Sequence, residues 1–278
     1  MTKASTISRA TRGSEGTDRR QRIQALLNGS GRLSVHDLAR RLGVTTMTIR
    51  RDLQAMEEQG LLVRTHGGCV QPGSPLVREL SFSEKAACNV EAKQAIAREI
   101  VRRLRPGESV YLDTGTTCAQ IARMLPAGQR IRVVTNNLRV AMDLFGRPGM
   151  DLQVFGGQLA PASPDLVGAT AAARAMEFRF DTAILGADAL DPATAEFGAA
   201  DMDTAALSRA ARQQARRIIV AADASKIGRT CPSITGRLGR NLTLVTDSRV
   251  PVAQRRALAR TGASIVYATV STTRKGTP

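Results

Sequence analysis

Apolar positions recur along this chain with two different periods. Between about residues 18 and 58 the spacing is helical: Ile23, Leu26 and Leu27, then Val35, Leu38, Ala39 and Leu42, then Ile49, Leu53 and Met56 at i, i+4 and i+7. This predicts three short helices, over about Asp18–Asn28, from Ser34 to Gly43, and from Thr45 onward. Ser34 is placed to cap the second, with Asp37 three residues on as an acidic variant of the capping box. Thr45 is a good N-cap for the third, and Val44 with Ile49 can form a hydrophobic staple. Past Gly60, the stretch Leu61–Val70 reads as a short hairpin with a glycine turn, Arg64 and His66 lying at its tip. From about residue 79 the pattern changes to apolar runs separated by helical stretches. Ser109–Leu112, Ile131–Val134, Leu152–Phe155, Thr182–Leu185, Arg217–Ala221 and Leu242–Thr246 read as strands, with Ser264–Tyr267 as a further one. Such alternation predicts a parallel sheet covered on both faces.

These patterns divide the chain. Residues 1–17 are polar and read as a disordered tail. Residues 18–73 form a winged helix-turn-helix unit, and residues 74–90 a linker in a neighbourhood rich in proline and glycine. Residues 91–268 form an α/β domain, and 269–278 a flexible tail. The fold class is therefore α/β, with a small helical unit at the N-terminal side.

The third helix carries the informative chemistry. With Ile49, Leu53 and Met56 turned inward, Met47, Arg50, Arg51 and Gln54 fall on the opposite face at about 100° per residue. Thr46 and Thr48 sit near its N-terminus, where hydroxyls and N–H groups can meet phosphate. Two short helices joined by Leu42-Gly43-Val44 make a helix-turn-helix whose second helix enters the major groove. There arginine reads guanine and glutamine reads adenine. The candidate DNA-contacting residues are Ser34, Thr45, Thr46, Met47, Thr48, Arg50, Arg51, Gln54, Arg64 and His66. Asp52 would repel phosphate, so it is read as pairing with a nearby arginine.

Charge changes the picture only modestly. The net charge is +16, and residues 1–78, with thirteen basic and six acidic residues, hold +7 of it, a density that suits a polyanion. Periodicity and charge alone fit a three-helix unit with solvated arginines equally well. Four cysteines without a CxxC pair and only two histidines predict neither a structural zinc site nor a disulfide framework, and no metal or cofactor is expected. Aromatic residues make up 3% with no Trp, which argues against a single-strand binder built on stacking. No apolar run is long enough to span a membrane, and no secretory signal is read, so a cytoplasmic location is expected.

In the second domain each strand is followed by residues suited to a binding loop: Asp113-Thr114-Gly115-Thr116-Thr117, Thr135-Asn136-Asn137, Gly156-Gly157, Gly186-Ala187-Asp188, and Asp223-Ala224-Ser225-Lys226. Ligands of such sheets bind at the carboxyl ends of the strands. Any one loop is ordinary turn chemistry; all of them on one sheet edge point to a site. Lys226 stands out because the chain has 5 lysines against 35 arginines, and a compact ammonium suits a phosphate.

The residue order then narrows the choice. Leu38-Ala39-x-x-Leu42-Gly43-Val44, Thr48-Ile49-Arg50-Arg51-Asp52-Leu53 and Gly60-x-x-x-Arg64-x-His66-Gly67-Gly68 closely resemble the DeoR family of transcriptional regulators. So do Glu79-x-x-Phe82, Leu112-Asp113-x-Gly115-Thr116-Thr117, Val134-Thr135-Asn136-Asn137-Leu138, Gly156-Gly157, Gly168, Asp181 to Asp188, Asp223-x-Ser225-Lys226 and Thr246-Asp247. The resemblance implies a sensor domain like ribose-5-phosphate isomerase that binds sugar phosphates or related metabolites. It also implies that Asp113, Gly115, Thr116, Thr117, Thr135, Asn136, Asp188 and Lys226 line the pocket. Three places depart from the family: Thr45 stands where serine is usual. Thr204 and Ser208 stand where many relatives carry Glu and Lys, and Leu166-Val167 precede Gly168 where a serine is frequent.

The expected function is a sequence-specific DNA-binding regulator: a repressor of a sugar or carbohydrate catabolic operon, relieved by a small phosphorylated, sugar-like metabolite. Its partners would be a double-stranded operator and further copies of itself, as a dimer or tetramer, with no membrane. The alternative is a sugar-phosphate isomerase-like enzyme with an accessory DNA-binding head. Isomerisation needs a carboxylate base and a partner acid. Here Ala189 and Leu190 follow Asp188 and no lysine appears before Lys226, so the catalytic set looks incomplete and no enzyme activity is expected.

Overall fold

The computed structural model describes residues 4–65, 68–70 and 81–270. It separates into two compact units, Met1–Glu79 and Leu80–Pro278.

The first unit runs α1 (Ala4–Ser30), β1 (Arg32–Ser34), α2 (Val35–Leu42), α3 (Thr46–Glu58), β2 (Val63–Thr65) and β3 (Gly68–Val70). The strands form an antiparallel sheet in the order β1-β3-β2, the wing of a winged helix. Ile23, Leu27, Leu38, Ile49, Leu53 and Met56 fill its core with no more than 1% exposure each. Cys69 lies in the same core, where burial pushes its thiol up to about 12, so it packs as a small apolar group. Gly43 closes α2 at φ 67 and returns its N–H to the Ala39 carbonyl, a conformation glycine takes without strain. At Gly68 a Cβ would meet the Leu33 carbonyl oxygen at 1.9 Å, so β3 can approach β1 only because that position lacks a side chain. The first helix differs from expectation. It begins at Ala4 rather than Asp18 and takes in most of the stretch read as a disordered tail. That stretch holds no proline, and a helix anchored through Ile23 and Leu27 can propagate towards its N-terminus. His66, expected at the tip of the hairpin, lies outside the described residues.

The second unit opens with α4 (Phe82–Ala87) and α5 (Val90–Val101). Next come β4 (Ser109–Leu112), α6 (Thr116–Met124), β5 (Ile131–Thr135), α7 (Leu138–Leu144) and β6 (Met150–Val154). A two-stranded pair, β7 (Gln158–Leu159) and β8 (Leu166–Val167), leads to α8 (Ala169–Ala175) and β9 (Phe180–Gly186). Then follow β10 (Ala189–Asp191), β11 (Glu196–Ala199), α9 (Met202–Gln213), β12 (Ala215–Ala221), β13 (Ser233–Arg237), β14 (Leu242–Asp247), α10 (Val252–Ala259) and β15 (Ser264–Ala268). Seven strands form one parallel sheet in the order β15-β14-β12-β9-β4-β5-β6, and all seven strands expected from the apolar runs are in it. Both faces are covered. Ile96, Ile121, Val140 and Leu144 pack on one side against Val110, Leu112, Val133 and Ile184. Ala171, Leu207, Ala211 and Leu258 pack on the other against Tyr111, Val134, Ala183 and Leu185. Successive residues of one strand thus serve opposite cores.

The chain enters the sheet at β4 and grows outward through β5 and β6. It then returns to the other side of β4 with β9 and grows the opposite way. The topological switch point, where ligands of such sheets bind, therefore lies between the carboxyl ends of β4 and β9. The linker expected to reach residue 90 ends earlier. Ser81 and Glu84 form a complete capping box that starts α4, and Phe82 packs on the core. Among the described residues no helix is long and apolar enough to cross a membrane.

Candidate functional site

In the first unit the site is built by α3. Thr45 starts it, its hydroxyl accepting from the Thr48 N–H at 3.2 Å. Ser34 does the same for α2, accepting from the Asp37 N–H at 3.0 Å and donating to the Asp37 carboxylate. Both hydroxyls are thus engaged in caps. Because Ile49, Leu53 and Met56 are held in the core, the other face must point outward. Met47 is 67% exposed, and Arg50, Arg51 and Gln54 are exposed with it; Thr46 and Thr48 are half-buried at the first turn. Arg50 and Arg51 make no ion pair or side-chain hydrogen bond among the described residues, whereas Gln54 donates to Glu58 at 3.2 Å. Asp52 is turned away from that face. Arg19 on α1 donates to it from Nε at 2.5 Å and from a terminal nitrogen at 3.3 Å. Arg64 of the wing is anchored to α3: its N–H donates to Glu57 at 2.9 Å, and its guanidinium lies 3.6 Å from the same carboxylate.

In the second unit the expected residues fall into two groups at the switch point. The first lies under the loop after β4. Asp113, 2% exposed, accepts from the Tyr111 hydroxyl (3.1 Å), the Gly186 N–H (3.2 Å) and the Ser208 hydroxyl (3.0 Å). The Tyr111 hydroxyl also lies 2.9 Å from Asn136 Oδ1, and Asn136 donates its amide to the Leu166 carbonyl at 3.0 Å. Burial pushes the Asp113 carboxyl up to about 6, although the Thr114 N–H, Ser208, Tyr111 and the Gly186 N–H all favour its charged form. Thr135 is fully buried and its hydroxyl accepts from the Asn137 N–H at 3.1 Å. Gly115 takes φ 93, which favours glycine, and opens α6, where Thr116 and Thr117 form an N-terminal turn without a side-chain cap.

The second group is charged. Asp188 accepts from Lys85 Nζ at 3.0 Å and from the Ala200 N–H at 3.1 Å. Burial alone would raise its carboxyl, but Lys85, Lys226 and the Ala200 N–H more than offset that and hold it below the usual range. Lys93 is 4% exposed; it donates to the Lys85 carbonyl and, at 2.5 Å, to the Cys88 carbonyl, clamping the end of α4. Desolvation lowers its pKa, against the pull of Asp223. Asp165, raised by burial, is bonded by Ser163 at 2.6 Å and Asn137 at 2.5 Å.

Asp113 and Asn136 thus share one network through Tyr111, and Asp188 and Lys226 lie together in the charged group. Lys85, Tyr111 and Ser208 bond members of these two groups and Lys93 lies beside them; none was singled out from the sequence. Lysine scarcity, used to select Lys226, selects Lys85 and Lys93 equally: of the five lysines, the three within the described residues all converge here. Ser208 had been noted only as a departure; its hydroxyl takes part in the Asp113 network.

Comparison with known proteins agrees with this architecture. Residues 19–74 match the DeoR-like helix-turn-helix domain and residues 88–248 the DeoR C terminal sensor domain. Among similar curated proteins, the HTH-type transcriptional regulator GlpR of Haloferax volcanii is 33% identical over 90% of this chain and 96% of its own. The HTH-type transcriptional repressor CsqR of Escherichia coli K12 is 31% identical over 86% and 90%. The glycerol-3-phosphate regulon repressor of the same strain is 30% identical over 85% and 92%. A solved ribose 5-phosphate isomerase A from Methanocaldococcus jannaschii overlaps 50% of this chain and 55% of its own at 20% identity. Its TM-score of 0.37 is too low to carry an argument. With a helix-turn-helix at one end and a sensor domain over more than half its length, the chain belongs to the DeoR family of DNA-binding transcriptional regulators.

Proposed function

We propose that this protein is a repressor that binds a double-stranded operator as a homo-oligomer and leaves it when a small phosphorylated, sugar-like effector occupies the switch-point site. One observation carries the DNA half of the reading: α3 buries Ile49, Leu53 and Met56 while Met47, Arg50, Arg51 and Gln54 stand exposed, its exposed acids Glu57 and Glu58 falling in the last turn. In that reading Arg50, Arg51 and Gln54 reach base edges, and Met47 packs against them. Thr46, Thr48, Arg64 and His66 contact the sugar-phosphate backbone, and the capping residues Ser34 and Thr45 fix the helix N-termini beside it. A single α3 reads one half-site, so two copies are needed for a two-part operator. The repressors among the relatives support the direction of regulation, and the three convergent lysines support an anionic effector. Asp113, Gly115, Thr116, Thr117, Thr135, Asn136, Asp188 and Lys226 then form the walls and floor of that site. When bound to DNA the protein would reside at the nucleoid.

The test starts from duplexes enriched by the full-length protein from a random library. Arg50→Ala and Arg51→Ala are each expected to weaken binding of the enriched duplex by about 1–3 kcal/mol. Both residues are exposed, so the melting temperature should not move. Wild-type affinity in both variants would remove α3 from the groove. For the effector half, glycerol 3-phosphate, glucose 6-phosphate, fructose 1-phosphate and ribose 5-phosphate are screened for thermal stabilisation and for release of the duplex. An ester that stabilises the protein yet leaves duplex affinity unchanged would break the proposed coupling.

A further inference from the structure

We propose that the outer face of α7, with the edge strand β6 beside it, is where two copies of this chain meet, packed antiparallel about a two-fold axis that passes next to Met142. This rests on the homo-oligomer of the reading above and names the face that forms it.

Nine large apolar side chains are exposed among the described residues of the second unit, and five of them, Leu138, Met142, Phe145, Val154 and Leu159, fall between residues 138 and 159. Three stand on or just past α7 at i, i+4 and i+7, the spacing of a single helical face. Met142 and Phe145 are 71% and 79% exposed. The other side of the same helix holds Val140 and Leu144 in the core, so α7 is apolar on both sides and only one of them is covered. Strand alternation puts Val154 on the same side of the sheet as Met150 and Leu152, which pack on the core beneath α7. β6 is the last strand of its sheet, with no strand on its outer side among the described residues.

Leu138, Met142, Phe145 and Val154 leave about 400 Å² of apolar surface open, the size at which a patch marks an interaction site. Two copies would cover about 800 Å². At the roughly 65% apolar content of homodimer interfaces this corresponds to about 1,200 Å² in total, enough for a specific interface. The order of residues suits a second copy of the chain. With α7 laid antiparallel on itself, Leu138 of each copy meets Phe145 of the other, and Met142 meets Met142 at the axis. The same operation brings Arg139 level with Asp143 of the second copy on one flank of the pair. Within one copy Asp143 already accepts from Arg139 at 3.2 Å and from Arg123 at 3.0 Å, so it enters the interface as a paired group. A two-fold interface needs one surface that complements itself, and this helix face does so in both its apolar ends and its charged flank.

The experiment measures association of the full-length protein by sedimentation equilibrium in wild type, Met142→Glu and Phe145→Glu. Both side chains are exposed, so the variants should keep the far-ultraviolet circular dichroism of wild type. Each substitution enters the interface twice, and each is expected to weaken association about a hundredfold or more. Met142→Cys tests the register directly. Helices packed about 8–10 Å apart bring residues beside the axis within disulfide reach. A mild oxidant should therefore link Met142→Cys into covalent dimers, while wild type, with its native cysteines, and Val252→Cys, exposed on α10, should not be linked. If wild type associates but both glutamate variants stay associated, or Met142→Cys is linked no faster than Val252→Cys, this face is not the interface; the repressor reading then stands, with its copies joined elsewhere. If wild type is monomeric both alone and on its enriched duplex, the homo-oligomer of that reading fails and this interface with it.

Discussion

The Asp113 network makes a prediction that can be worked through from its hydrogen atoms. The Tyr111 hydroxyl has one proton and faces two acceptors, Asp113 Oδ1 at 3.1 Å and Asn136 Oδ1 at 2.9 Å. Asn136 cannot turn its amide towards it without losing the Leu166 carbonyl. With Asp113 ionised, one of those two oxygen pairs lacks a proton. With Asp113 protonated, its O–H donates to Tyr111, which donates to Asn136, and every contact is satisfied. Burial acts in the same direction, moving the carboxyl from an ordinary 3.8 to about 6. A folded-state value above the unfolded one means that the native protein holds a proton the unfolded chain releases, chiefly between pH 4 and 6. The stability associated with this group is therefore greatest below about pH 4 and declines as pH rises through 6. At about 1.4 kcal/mol per unit the full loss at pH 8 is roughly 3 kcal/mol.

Asp113→Asn reproduces the protonated form at every pH. Its carbonyl oxygen can accept from the Gly186 N–H and the Ser208 hydroxyl, and its amide can donate to the Tyr111 oxygen. We expect the variant to be more stable than wild type at pH 8 by about 1–3 kcal/mol, or several degrees at roughly 2–4 °C per kcal/mol. The difference should shrink to about a third of its pH 8 value near pH 4.5. Calorimetry of the full-length protein between pH 4.5 and 8.5, following the transition of the second unit, measures it. A variant less stable than wild type at pH 8, or a difference that does not change with pH, would refute the protonation argument.

Two further substitutions test local readings. Asp52→Asn removes the carboxylate that Arg19 bonds at a position where the aspartate side chain is 8% exposed; the first unit should lose about 1–3 kcal/mol in urea unfolding, and an unchanged midpoint would make the pair incidental. Lys93→Arg keeps the charge but brings five donors in a rigid plane to a site with two carbonyl acceptors; it should destabilise the second unit by about 2–4 kcal/mol, and wild-type stability would show that the clamp is only a charge.

Much of this protein is legible from its apolar spacing because each main element buries one defined face. The i, i+4, i+7 set of Ile49, Leu53 and Met56 orients α3, and the seven apolar runs all become strands of the central sheet. The short antiparallel strands β7, β8, β10, β11 and β13 have no such signature. At two to five residues they are too brief for a period to establish itself, and their pairing is set by the loops that bring them together. The helix α4 is different, since its signal was present: Ser81-Phe82-Ser83-Glu84 is a capping box, but it stands beside prolines that draw attention to a linker. The Asp113 network was hidden for another reason. Its members Tyr111, Asn136, Gly186 and Ser208 come from separate elements, as far as 95 positions from Asp113, and only the sheet order makes them neighbours.

The lysines show how composition becomes informative once chemistry is attached to it. A chain with 35 arginines uses lysine at each of the three described positions that face one site. Arginine is the stronger partner for an exposed phosphate and is what the chain carries at Arg50 and Arg51. At the switch point the demands differ. Lys93 must fit between two carbonyls under 4% exposure, and Lys85 must bond one oxygen of Asp188 while the Ala200 N–H holds the other. A planar guanidinium that grips a carboxylate with two parallel hydrogen bonds serves neither demand, whereas a compact ammonium on a flexible stem serves both. The contrast between arginine on α3 and lysine at the sheet edge therefore follows from geometry: open, exposed positions take the planar fork, and positions enclosed by carbonyls and a carboxylate take the compact ammonium.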